Sequence, residues 1–139
     1  MYNHIMDLKK ELLENDYSIV ASNGYNSKDN GIKPVLFRLN ENINYFNGLE
    51  VADKIIGKAS AMLLSLSGVK KVYAHVLSKA GKDIFDKYNI EYEYGQLVEY
   101  IINRKGDGMC PMEITVKDID DLNEAYKALN EKVKSMMKA

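Results

Sequence analysis

Val51-Ala52-Asp53-Lys54-Ile55-Ile56-Gly57-Lys58-Ala59-Ser60-Ala61-Met62-Leu63-Leu64-Ser65-Leu66 is the longest apolar segment of the chain, and its polar residues crowd into one end. From Ala59 onward only Ser60 and Ser65 interrupt Ala, Met and Leu, a composition that predicts a helix buried on most of its circumference. Read as one helix from Val51, the segment carries Asp53, Lys54, Gly57 and Lys58 in its first turns. A helix N-terminus presents unpaired N–H groups and a partial positive charge, so two lysines at i and i+4 there oppose the dipole and repel each other. Two explanations stand side by side. An anionic ligand held by the helix end and by Lys54 and Lys58 accounts for them, with Gly57 letting the backbone come close. Alternatively Glu50 pairs with Lys54, Asp53 complements the dipole and Lys58 reaches into water.

On either side of this segment the pattern is that of alternating helices and strands. Ile5, Leu8, Leu12 and Leu13 recur at helical spacing, which predicts an amphipathic first helix ending near Asn15 and lying on a sheet face. Tyr17 to Ala21 and Tyr25 to Ser27 flank Asn23-Gly24, a hairpin signal. Pro34 sits in the first turn of a short helix through Leu39, and 40–48 reads as a loop. Gly68 stops the central helix. Val69 to Leu77 is then a strand with Val72, Ala74 and Val76 on one face and Tyr73, His75 and Leu77 on the other, both buried. Ser78 N-caps a helix over Lys79–Tyr88, Asn89 takes a left-handed stop, and Ile90, Tyr92 and Tyr94 mark an edge strand. Gln96 to Arg104 reads as a further helix, Gly106-Asp107-Gly108 as a loop, and a closing helix follows Asp120 or Asp121. Ile114 to Lys117 fits a last strand or the end of a short helix equally well. Together these elements predict one domain over 1–139, a three-layer α/β/α sandwich with a mixed sheet. Ligands of such sheets collect at the carboxyl ends of strands, where Ser78 sits.

Composition narrows the function. The chain has 139 residues, with 19 Lys and Arg against 20 Asp and Glu and a formal charge of −1, which disfavours nucleic acid as a partner. No run is long and apolar enough to span a bilayer, no signal-peptide core opens the chain, and one cysteine makes no internal disulfide; a cytoplasmic protein without membrane contact is expected. Zinc needs three or four closely spaced ligands, whereas this chain has two distant histidines, one cysteine and no C-x-x-C or H-x-x-x-H, so no metal and no other cofactor is expected. A phosphate-cradling glycine loop and a nucleophile elbow are likewise missing.

Three residues are candidates for chemistry. Cys110 precedes Pro111, a pattern that makes Cys110 an N-cap with Glu113 reaching back as in a capping box. A thiol at a helix start is a more reactive nucleophile; the competing reading is a small buried apolar residue. Asp53 and Glu113 are candidates for moving protons. His75 reads as a hydrogen-bonded core residue of its strand and His4 as surface.

Asp53-Lys54-Ile55-Ile56-Gly57-Lys58-Ala59, and Leu97 to Arg104 followed by Cys110-Pro111-Met112-Glu113, resemble a family of short uncharacterised prokaryotic proteins, a domain-of-unknown-function family grouped with the cytidine-deaminase-like fold. The resemblance covers nearly the whole chain and is densest over 51–113. It implies that the central helix and the helix after Ser78 occupy the places of the two zinc-motif helices of deaminases. Those helix starts carry H/C-x-E and P-C-x-x-C in deaminases. Here they read Ala52-Asp53-Lys54 and Leu77-Ser78-Lys79-Ala80-Gly81, without metal ligands. The expectation is therefore a zinc-free, deaminase-like domain that binds a small anionic molecule such as a nucleotide through Lys54, Gly57, Lys58 and Ser78, with Asp53, Cys110 and Glu113 as catalytic candidates if it is an enzyme. The alternatives are a protein-interaction module, in which the closing helix or the edge strand near Tyr92 makes a homo- or heteromeric contact, and a metal-dependent hydrolase assembled from His75, Cys110 and Asp53.

Overall fold

The computed structural model describes residues 4–103 and 105–137. In chain order the elements are α1 (Ile5–Glu14), β1 (Ile19–Ala21), β2 (Asn26–Ser27), α2 (Lys33–Glu41), β3 (Glu50–Ile56), α3 (Lys58–Ser67), β4 (Lys71–Ser78), α4 (Lys79–Lys87), β5 (Glu91–Val98), α5 (Pro111–Val116) and α6 (Leu122–Met137). The strands form one mixed sheet in the order β2-β1-β3-β4-β5, with β1 antiparallel to β2 and β3, and with β3, β4 and β5 parallel.

The central segment divides where it was expected to be continuous. Glu50–Ile56 is a strand, Gly57 is the break, and the helix begins only at Lys58. Asp53 and Lys54 thus lie on β3 and not in the first turn of a helix. β3 is a central strand with buried apolar residues on both faces, Val51 and Ile56 on one and Ala52 on the other, and such a run continuing into 59–66 is not separated from a buried helix by periodicity. From Lys58 onward the expectation holds: seven of the ten residues of α3 are buried, and Gly68 at φ 82° closes it.

Two apolar clusters lie on the two faces of the sheet. Ile5, Leu8 and Leu12 of α1 pack on Val20, Ala52 and Tyr73. Val51, Val72 and Ala74 meet Leu36, Phe46, Met62, Leu63, Phe85 and Leu129 from the helices and loop of the other face. Ile56 and Leu77 also join this second cluster, although each stands an odd number of positions from Val51 or Val72. The alternation therefore shifts by one residue in step across neighbouring strands, at the row where the ladder lacks the pairs of Lys54 and His75 with their neighbours. A Cβ on Gly95, in the same row, would stand 2.8 Å from the His75 carbonyl oxygen. The strict two-face reading of β4 fails for this reason, and His75 is exposed, its Nδ1 2.8 Å from the Tyr73 hydroxyl.

The other boundaries differ in detail. Gln96 to Val98 continue β5, so no helix starts at Gln96; Ile102 pairs with Met109 and the Cys110 N–H donates to the Ile101 carbonyl at 2.9 Å, which sets Ile101 and Ile102 beside Met109 and Cys110. Arg104 lies outside the described residues. Ile114–Val116 are the end of α5, and Asn89 takes its left-handed stop at φ 56°.

Candidate functional site

Gly57 ends β3 and Ser78 ends β4, and the helices that follow, α3 and α4, begin side by side. A Cβ on Gly81 would lie 3.1 Å from the Gly57 carbonyl group, so two small residues set how closely the helix starts approach. The Ser78 hydroxyl, fully buried, accepts from the Gly81 N–H at 3.0 Å and caps α4 as expected from sequence. Ser78→Ala removes that acceptor and is expected to cost about 1 kcal/mol of stability, read as a lower urea midpoint with an unchanged slope.

The α3 start is closed differently. Glu113, 8% exposed, sends its carboxylate to the Lys58 N–H at 2.7 Å and the Ala59 N–H at 2.9 Å. The anion that Gly57 and Lys58 called for is supplied by the protein itself, from a residue 55 positions away. Glu113 therefore does not fold back in a capping box with Cys110, which N-caps α5 without a side-chain hydrogen bond. The same contact explains Gly57, whose φ of −104° any residue adopts. A Cβ there would fall 2.2 Å from Glu113 Oε1. Burial pushes the Glu113 carboxyl above its ordinary range, against the opposing pull of the Ala59 and Lys58 N–H groups and the Lys58 charge.

Beside this clasp lies a cleft of about 420 Å³. Lys58, Ser78 and Glu113 line it, as do Lys87 and Lys117, the carboxylates of Asp83, Glu99 and Asp120, and the apolar surfaces of Ile84, Tyr100 and Met109. The Lys58 ammonium donates to the Lys117 carbonyl at 3.0 Å, and Glu99 pairs with Lys79. Of the residues singled out by sequence, Lys58, Ser78 and Glu113 meet here, with Gly57 behind Glu113. Lys54 is elsewhere: its ammonium pairs with Asp16, whose carboxyl that hydrogen bond holds below the usual range. Asp53 lies on β3 between Ile19 and Ala74, 7% exposed, with one oxygen accepting from the Ile55 N–H at 3.1 Å. Burial pushes its carboxyl up to about 7. Neither Asp53 nor Cys110 is among the residues lining the cleft. A larger depression of about 640 Å³ between α2 and α6 exposes Phe37 and Met137; Asn40, Tyr126 and Asn130 in it hydrogen-bond one another, and Lys127, Glu131 and Lys134 complete its polar lining.

The sequence reading missed Asp83, Lys87, Lys117 and Asp120. Asp83 and Lys87 are charged residues of α4, and Lys117 and Asp120 lie between α5 and α6; only the fold brings them to one opening.

The family profile described as TM1506, domain of unknown function (DUF1893), matches residues 7–133. The chain belongs to the DUF1893 family. Its fold superposes on the crystal structure of the DUF1893 family protein TM1506 from Thermotoga maritima with a TM-score of 0.84 and 26% sequence identity, covering 95% of this chain and 97% of that one. A second similarity, to mite allergen Der p 5 of Dermatophagoides pteronyssinus, is 27% identity over 86 residues, 60% of this chain and 65% of the allergen's length. In this DUF1893 domain no helix among the described residues is long and apolar enough to cross a membrane. No three His, Cys, Asp or Glu side chains among the described residues are grouped to hold a metal ion, so His75, Cys110 and Asp53 are not brought together.

Proposed function

We propose that this DUF1893 domain is a zinc-free small-molecule-binding domain, that its ligand carries an anionic group, as a nucleotide does, and that the ligand occupies the cleft between the starts of α3 and α4. The observation that carries this reading is the convergence of Lys58, Ser78 and Glu113 on one cleft at the carboxyl ends of two parallel strands, where ligands of α/β sheets gather. Lys58, Lys87 and Lys117 suit a phosphate or carboxylate, Tyr100, Met109 and Ile84 a flat ring, and Asp83 and Asp120 hydroxyl or amino donors. The α3 dipole is already answered by Glu113, so the ligand's charge is assigned to the ammonium groups and not to that helix end.

Two helices starting side by side after parallel strands also support a deaminase-like architecture. Zinc does not fit it: the helix starts read Gly57-Lys58-Ala59 and Ser78-Lys79-Ala80, without thiol or imidazole, and both Glu113 oxygens already accept backbone N–H groups. If turnover accompanies binding, Glu113 is the group assigned to move a proton, since it is the buried carboxyl of the cleft lining and burial raises it above its ordinary range. Cysteine usage supports a cytoplasmic setting.

A thermal-shift screen with nucleoside mono- and diphosphates, sugar phosphates and small carboxylates tests the binding. A ligand at a hundred times its dissociation constant adds about 2.7 kcal/mol, several degrees of melting temperature. The shift is expected in the wild type and absent from Lys58→Ala/Lys117→Ala. No shift across the panel, or an equal shift in that variant, contradicts the assignment.

A further inference from the structure

Beyond the cleft, the geometry points to a second copy of this chain pairing antiparallel along the free edge of β5, with Glu93 opposite Gln96, Tyr92 opposite Leu97 and Glu91 opposite Val98. β5 is the last strand of the sheet and, among the described residues, bonds only to β4. The opposite edge, β2, is two residues long, whereas β5 has eight and exposes Glu91 and Glu93 through Gln96. A long open edge invites another strand unless charged side chains, Pro, a bulge or a covering element blunts it. The sequence of β5, EYEYGQLV, has no Pro, and its charges, Glu91 and Glu93, are confined to its first half.

Charge selects the occupant and its direction. The acids of the strand, Glu91 and Glu93, sit at its start and its second half is uncharged. Parallel self-pairing would set like carboxylates side by side, while antiparallel pairing sets each Glu93 against a neutral amide donor, Gln96 of the other copy. Lys71 already neutralises part of the acidic half, at 2.9 Å from Glu91 and 3.0 Å from Glu93.

The shift in alternation makes the register possible. A twofold axis normal to the sheet keeps each face continuous, so every residue must oppose one on its own face. Tyr92 and Leu97 both pack toward the helix-covered cluster, although an unshifted strand would turn residues five apart to opposite sides. Tyr94, on the strand, is 42% exposed and adds apolar area to the hydrogen-bonded edge, toward the roughly 800 Å² per partner typical of a stable interface.

Sedimentation velocity of the full chain from about 1 μM to about 500 μM tests the pairing, and a dimer is expected to form within that range. Gln96→Glu, which sets two carboxylate pairs face to face, is expected to raise the dimer dissociation constant roughly tenfold or more. Glu93→Gln/Gln96→Glu restores an amide opposite each carboxylate and is expected to return it to within about threefold of the wild type. Deuterium exchange of the 91–98 amides is expected to slow as concentration rises. A wild type that stays monomeric, a Gln96→Glu variant that associates unchanged, a double variant without recovery, or exchange independent of concentration would each overturn the proposal. Cleft binding is read separately in the thermal-shift screen, so failure of one leaves the other standing.

Discussion

Asp53→Asn is expected to raise the melting temperature at pH 8 by roughly 10 °C and to leave it nearly unchanged at pH 4. The carboxyl sits on a central strand between Ile19 and Ala74, and one backbone N–H, that of Ile55, is its hydrogen-bond partner among the described residues. Burial raises it to about 7, well above the range of an unfolded aspartate. A group whose pKa is raised on folding contributes its stability fully below the unfolded pKa and loses it as pH rises through the folded one. Between about pH 4 and pH 7 the native state therefore forfeits up to roughly 4 kcal/mol through this residue. Asparagine is neutral throughout, and its carbonyl oxygen keeps the bond to Ile55. Parallel melts of both proteins from pH 4 to pH 8 measure the difference; curves that stay parallel across that range would show that the Asp53 charge is compensated.

Gly57→Ala carries the second large effect, expected to destabilise by about 3 kcal/mol, or roughly 10 °C. The new methyl would occupy the place of the Glu113 carboxylate and force it away, stranding the Lys58 and Ala59 N–H groups at a buried helix start. Backbone strain is not the cause, because φ at Gly57 is negative. Urea titration of the single and double variants separates these origins. Gly57→Ala/Glu113→Ala is expected to be little worse than Gly57→Ala alone, since the first change has already removed what the second deletes. Full additivity would mean that glycine serves something other than the clasp.

Local chemistry announced itself well in this sequence. Ser78, Gly68 and Asn89 stand where capping and left-handed geometry call for them, and α1 follows its apolar spacing, with Ile5, Leu8 and Leu12 buried. Two kinds of information were not local. In the run 51–56 the buried Val51 and Ile56 face one cluster and Ala52 the other, and the shift near Lys54 and His75 together with the charged pair Asp53-Lys54 spoils the alternation that would have betrayed a strand. Leu97, Val98, Ile101 and Ile102 mimic a helical face, but the first two finish an edge strand and the others lie beside Met109 and Cys110. The site was half legible for a similar reason. Lysine beside glycine reads as a helix start holding an anionic ligand; the group that accepts from that helix start is the protein's own Glu113, which lies on α5, and no spacing rule reaches that far. Lys54 was misassigned together with the helix that was expected to hold it.

Amide-resolved NMR of the full chain, titrated with nucleoside 5′-monophosphates and, separately, with inorganic phosphate, is the most direct measurement of the cleft. Saturable shifts at Lys58, Ser78 to Gly81, Glu113 and Lys117, weaker or missing with phosphate alone, are the expected result. Shifts confined to the α2 and α6 groove or to β5, or no saturable shift with any nucleotide, would contradict a ligand site between the starts of α3 and α4.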